Sequence, residues 1–378
     1  MTDARHSFSP DWASPPGDTI LDVIEERGWT QAEFSKRTGY STKYVNQLIN
    51  GKVPLTVDAA LRLEHVLGGS VAFWLKREAE YQDQRARLES EEKYAEWTSW
   101  LDILPVKELM DLGALKKLRL DEKNKPCVVG LCLKFFGVAS PDEWYAHYGK
   151  MKAQFRRSNK GTNDVGAVLA WLRLGEQQLE QSTIPKFDRA QFQAALREIR
   201  SMTCMEPLDF LKAMKHELSE AGVALIFVPA IPRARVSGVV RWVTPSCPLI
   251  QLSSFGKSND RFWFTLFHEA AHILLHSGTF AEKKSVFLDD FEAGLKQDPK
   301  EQEADQWAAN WLIPPQYRSE LETLRSRNDV MEFARKIGIH PGIVVGRLQH
   351  EALIPRSWMN DLKDFSGMEL LAASMRDG

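Results

Sequence analysis

Apolar residues recur at three- and four-residue intervals over most of the chain, the spacing of helices that bury one face. Between residues 18 and 82 the pattern falls into five short pieces: DTILDVIEERG, TQAEFSKRTG, STKYVNQLING, TVDAALRLEHVLG and SVAFWLKREAEYQ. Each opens on Ser, Thr or Asp, and the first four close on Gly. A short side-chain oxygen accepts from the free amides of a first helical turn, and glycine takes the left-handed conformation that ends a last one. The pattern therefore predicts a compact all-α domain over 18–82, behind a polar, Pro-rich disordered tail over 1–17.

Helical periodicity continues through 83–215, in stretches such as VGAVLAWLRLGEQQLEQ and RAQFQAALREIRSM, and predicts a helical middle domain without legible chemistry. The period changes at Gly222. GVALIFVPA, VSGVVRWV and CPLIQLSS are short β-branched runs and predict a small sheet. A helical FTLFHEAAHILLH, a loop over 277–299 and an amphipathic PKEQEADQWAANWLI stopped by Pro314-Pro315 follow. These make a further domain over 216–320, with a helical extension over 321–378. The fold class expected is mainly α with a small β-sheet, α+β.

Composition narrows the functional classes. The 378 residues are 43% hydrophobic and 26% charged, as in ordinary globular proteins, with no apolar run long enough for a membrane span. The N-terminus lacks the apolar core of a signal peptide, and four scattered cysteines form no disulfide framework, so a cytoplasmic protein with buried thiols is expected. A net charge of −2 argues against wholesale coating of nucleic acid but leaves room for a local basic face.

Such a face is present in GWTQAEFSKRTGYSTKYVNQLINGK, where one helix behind Thr30 ends at Gly39 and a second starts behind Ser41. That is helix-turn-helix spacing. Phe34, Val45, Leu48 and Ile49 have the period to fill the core, which turns Thr42, Lys43, Tyr44, Asn46, Gln47 and Asn50 outward. Between Arg27 and Arg62 six basic residues face two acidic ones. The segment over 17–82 resembles the phage-repressor-like (XRE) helix-turn-helix domains, and its continuation INGKVPLTVDAALRLEHVLGGSVAFWLKREAEY is similar to the HigA-type antitoxins. The resemblance implies double-stranded operator DNA as a partner, with Gln31, Ser41, Thr42, Lys43 and Asn46 as the contacts.

The second constellation lies in FTLFHEAAHILLHSG. Residues i and i+4 of a helix lie on one face about 6 Å apart along the axis, so His268 and His272 can converge on one metal ion. His276 lies about 12 Å from His268 along a straight axis and cannot join them. Glu269 between them is placed to take a proton from water, the H-E-x-x-H arrangement. Catalytic zinc needs a third protein ligand. In EQEADQWAANWLIPP, Glu301 and Asp305 share a helix face; Glu301 is favoured as ligand and Asp305 as the group that orients a histidine.

The pair His268-Glu269-x-x-His272 and Glu301-x-x-Ala304-Asp305 resembles the glutamate-type zincins. FWFTLFHEAAHILLH with EADQWAANWLIPP is specifically similar to the ImmA/IrrE metallopeptidases, over roughly 215–320. The resemblance implies a zincin-like domain, Zn²⁺ on His268, His272 and Glu301, and Glu269 as general base. Arg241, His340, Arg347 and His350 are candidate oxyanion donors, and PLIQLSS a candidate strand for docking an extended peptide. Near the C-terminus EFARKIGIHPGIVVGRLQH echoes the first helix-turn-helix, but apolar Ile343, Val344 and Val345 in its second segment predict a packing unit instead of a DNA reader.

Together these features lead to the expectation of a transcriptional regulator with an intrinsic zinc endopeptidase, acting on a helix-turn-helix repressor, an antitoxin partner or itself. The alternative is a non-enzymatic antitoxin-like repressor whose zinc domain senses a ligand or binds a toxin. Half-site geometry adds the expectation of a homodimer.

Overall fold

The structure, a computed structural model, describes residues 14–148, 164–180, 184–234, 236–253, 258–276, 287–289 and 299–365. It divides into two compact units, residues 1–98 with 120–127 and residues 99–119 with 128–378.

In the first unit five helices follow one another: α1 (Pro16–Glu26), α2 (Gln31–Thr38), α3 (Thr42–Ile49), α4 (Val57–Leu67) and α5 (Val71–Glu96). Thr30, Ser41, Thr56 and Ser70 each accept a backbone N–H three residues on, which starts α2 to α5. Gly39 closes α2 at φ 73°, a conformation that costs other residues more. Ile20, Ile24, Phe34, Val45, Leu48, Ala59, Leu63 and Trp74 form the core. Two boundaries differ from the sequence reading. Helix α1 already begins at Pro16, since proline suits a first helical turn, and residues 1–13 of the expected tail lie outside the described residues. Helix α5 runs past 82 to Glu96, carried by ion pairs one turn apart such as Arg85–Glu89 and Arg87–Asp83.

The second unit contains α6 (Val165–Leu179), α7 (Arg189–Ser201), α8 (Pro207–Glu220), β1 (Ala224–Val228), β2 (Gly238–Thr244), β3 (Cys247–Ser253), α9 (Asn259–Leu275), β4 (Phe287–Asp289), α10 (Pro299–Leu312), α11 (Arg327–Ile337) and α12 (Pro341–His350). The sheet order is β1-β3-β2-β4. Strands β1 and β3 are parallel, and β2 is antiparallel to both β3 and β4. Strand β4 falls where the sequence pattern reads only loop.

Alternation of side chains divides the sheet's two faces. Val240, Ile250 and Leu252 join Leu266, Ala270 and Ile273 of α9 in a large core. Arg241 and Gln251 face the other way, onto α6: Arg241 donates to the Leu172 carbonyl and pairs with Glu176, and Gln251 donates to the Trp171 carbonyl. The same core takes in Phe192 and Leu196 of α7 and Phe210 and Met214 of α8. Helices from the span 83–215 thus enclose both faces of the sheet, and one core crosses residue 215. Periodicity shows that a helix has a buried face; it does not name the surface that covers it.

Two further expectations are corrected. Strand β3 is flanked by β1 and β2, so its backbone groups are engaged on both sides and PLIQLSS offers no free edge to a peptide. Of the cysteines only Cys132 is buried; Cys127 and Cys204 are exposed and Cys247 is intermediate. Ile343, Val344 and Val345 are buried in α12, which packs on α9 as the apolar second segment of that C-terminal pair implies.

Candidate metal centre and nucleic-acid interface

Helix α9 is buried along almost its whole length, so its polar residues need partners inside the protein. His268 and His272 are each 2% exposed and Glu269 is fully buried. The two histidines find carboxylates on α10, where Ala304 and Ala308 are fully buried and their small side chains let the two helices approach. That stripe continues to Glu301 and Asp305, by the i, i+4 rule.

His268 Nε2 lies 3.1 Å from Glu301 Oε2, His272 Nε2 lies 3.0 Å from His268 Nε2, and His272 Nε2 lies 3.5 Å from Glu301 Oε1. The three ligand-type atoms of His268, His272 and Glu301 fall within 4.8 Å of one another, and among the described residues this is the cluster able to hold a metal ion. Bonds of 2.0–2.1 Å at tetrahedral angles put ligand atoms about 3.3 Å apart, so the spacing fits zinc. The hydrogen bonding fits too. His268 Nδ1 lies 2.9 Å from Asp305 Oδ1, which accepts its proton, and a neutral ring then turns a bare Nε2 toward Glu301. Two acceptors at that distance repel, and a cation between them makes the contact attractive.

Burial pushes the His272 imidazole down to about 4, against the pull of Glu301. Burial would raise Glu301, but the adjoining His268 and His272 outweigh it and hold the carboxyl down to about 2. A neutral His272 ring beside an anionic Glu301 is the pairing a divalent cation binds.

Two features near the centre extend the sequence reading, which leaves His276 as a residue that is structural or supports a ligand. His276 Nδ1 lies 2.9 Å from His272 Nδ1, and His276 Nε2 lies 3.1 Å from Glu303 Oε2. Its 12 Å offset along the axis keeps His276 away from His268 but not from the ring one turn before it. Glu303 stands beside Glu301 and Asp305 in the same motif, but its different side of α10 sets it aside as a ligand in the sequence reading. The other feature is Gly238 of β2: a Cβ there would stand 2.9 Å from Glu269 Oε1 and 2.6 Å from Thr265 Cγ2. Only glycine lets the strand lie against the Glu269 carboxylate.

Three of the oxyanion candidates are engaged elsewhere. Arg241 is on the sheet face away from α9, and its Glu176 partner explains how a guanidinium is tolerated there. His340 accepts from the Gly342 N–H as the cap of α12 and bonds Asn259 at the opposite end of α9; Arg347 pairs with Glu351.

In the first unit Ser41, Thr42, Lys43 and Asn46 are exposed and Gln31 is partly so, grouped at the N-terminal ends of α2 and α3. Ser41 Oγ is also the α3 cap, accepting from the Tyr44 N–H. The basic count divides on inspection. Arg27 donates to the Val66 and Leu67 carbonyls, Arg37 pairs with Glu33, and Arg62 pairs with Asp58 and donates to the Thr38 carbonyl. Among the described residues Lys36, Lys43 and Lys52 make no ion pair, so their charge, unlike that of the equally exposed Arg37 and Arg62, is not offset by a carboxylate.

Comparison with known proteins agrees with both halves. Residues 20–74 match the helix-turn-helix family. Residues 234–349 match a peptidase family described as IrrE N-terminal-like domain. The chain thus joins a DNA-binding regulator domain to a peptidase-family domain. It is also 32% identical over 60 residues to YddM of Escherichia coli K12, an uncharacterized HTH-type transcriptional regulator. That match covers 16% of this chain and 64% of the relative, so the chain spans less than two thirds of the relative's length. No helix among the described residues is long and apolar enough to cross a membrane.

Proposed function

We propose that this protein is an operator-binding regulator carrying a zinc-dependent endopeptidase, with a helix-turn-helix repressor, an antitoxin or the chain itself as substrate. The observation that carries the reading is the convergence of His268, His272 and Glu301 within 4.8 Å, beside the buried Glu269. His268, His272 and Glu301 would hold the ion, and zinc so bound supplies Lewis-acid polarisation and a more acidic water. Glu269 follows His268 directly and Gly238 leaves room for its carboxylate, so it is the group set to accept the water's proton and pass it to the departing amine. Asp305 keeps the His268 ring in one orientation by taking its Nδ1 proton. At the other end of the chain, Ser41, Thr42, Lys43, Asn46 and Gln31 reach bases and phosphates.

Two measurements on the full chain test this. Zinc content by elemental analysis should approach one per chain and vanish in a His268→Ala, His272→Ala variant. Incubation with a cognate repressor or antitoxin should give cleavage that Glu269→Gln abolishes while keeping zinc. Zinc without cleavage in the wild type would leave a sensor or toxin-binding module in place of the enzyme.

A further inference from the structure

We propose that Glu303, acting through His276, sets the tautomer of His272 and so prepares its Nε2 for a metal ion. The inference rests on the reading of His268, His272 and Glu301 as metal ligands. It goes beyond that ligand set by assigning two positioning residues outside it.

The two rings meet Nδ1 to Nδ1 at 2.9 Å, so one of those nitrogens carries the proton and the other accepts it. If His276 were the donor, a neutral His276 would turn a bare Nε2 toward Glu303 Oε2 at 3.1 Å, lone pair against carboxylate. With the proton on His276 Nε2, that contact becomes a hydrogen bond to an anion, the stronger kind. A singly protonated His276 then accepts at Nδ1, His272 must donate from Nδ1, and His272 Nε2 is left bare. That nitrogen is the one facing His268 Nε2 and Glu301. A His276 protonated on both nitrogens would reverse the assignment, and ¹⁵N spectra of the rings read that directly.

Helix α10 therefore supplies three carboxylates at alternate positions with separate tasks. Glu301 faces both rings. Asp305 takes the Nδ1 proton of His268 directly, and Glu303 governs the Nδ1 proton of His272 at one remove. The extra ring is needed because Glu303 leaves α10 on a different side from Glu301 and Asp305. His276 is 6% exposed and the Glu303 side chain 62% exposed, so the relay runs from the buried ligand to the surface.

The test uses the full chain with ¹⁵N-labelled histidine. Long-range proton–nitrogen spectra of the metal-free protein should find His272 protonated on Nδ1 and bare on Nε2. Glu303→Ala, at an exposed side chain that the fold does not need, should lose that single tautomer and weaken Zn²⁺ binding about 10–100-fold in chelator competition. Glu303→Gln, whose amide oxygen still accepts from His276 Nε2–H, should restore both. His276→Asn should likewise outperform His276→Phe, because the Asn oxygen takes the place of the Nδ1 acceptor. A wild-type His272 protonated on Nε2, or a Glu303→Ala variant that binds Zn²⁺ as tightly as wild type, overturns the proposal. Failure of the wild type to bind Zn²⁺ instead overturns the ligand reading, and the spectra of the metal-free protein judge the tautomer independently of it.

Discussion

The candidate DNA contacts all lie between Gln31 and Asn46, on two helices that Thr30, Gly39 and Ser41 start and stop locally. The candidate metal centre draws His268 and Glu301 from positions 33 residues apart, on helices that share no local signal. The first arrangement depends on capping and a few core contacts within one short stretch. The second depends on α9 being buried, on the alanines that let α10 approach, and on the strand that lies against Glu269. A surface built from local rules tolerates single changes, whereas a buried constellation has little slack, since its polar groups rely on one another.

That contrast gives graded expectations. Glu269→Gln should lower cleavage about 10²–10⁴-fold with zinc retained, measured as initial rate on a cognate repressor or antitoxin. The metal-free protein should be acid-labile through His272. The unfolded chain binds this proton near 6.5 and the folded one only near 4, so stability is full above pH 6.5 and falls as pH drops toward 4, by about 3 kcal/mol. Glu301, held down to about 2, adds to the loss below its ordinary 4.5. Urea denaturation at stepped pH measures both, and a flat profile from pH 7 to 4 would contradict the burial of a neutral His272.

Gly238→Ala should cost about 1–3 kcal/mol by overpacking and reduce cleavage more than zinc content. Equal losses of both would mean that the strand supports the whole helix and not the Glu269 carboxylate. In the DNA-reading unit, Ser41→Ala should lower stability by about 1 kcal/mol through loss of the α3 cap, read from thermal unfolding. The smallest effect is expected for Lys43→Ala, which should weaken operator binding severalfold and reduce the salt slope by about one. An Arg37→Ala variant that lost as much affinity would show that cations paired within the fold also reach phosphate.

Caps, glycines and helical period placed four of the first five helices within a residue or two, because these signals act on the residues that carry them. The three strands of β-branched residues were legible for the same reason. Strand β4 was not, since the three residues FLD within a polar stretch of sequence acquire strand character by pairing with β2. The division at 215 failed to mark a core boundary because helices α6, α7 and α8 find their apolar partners on a sheet that lies later in the chain.

For the candidate metal centre, the i, i+4 spacing of His268 and His272 is a property of any helix, and the sequence alone determined that these two rings share a face. It also determined that Glu301 and Asp305 share one. Which rings meet which carboxylates was decided by the packing of α10 on α9, and that packing brought Glu303 to His276 and Gly238 to Glu269. Helix geometry is written in the spacing of residues; the meeting of two helices depends on shape and burial across the whole core, which no short stretch encodes.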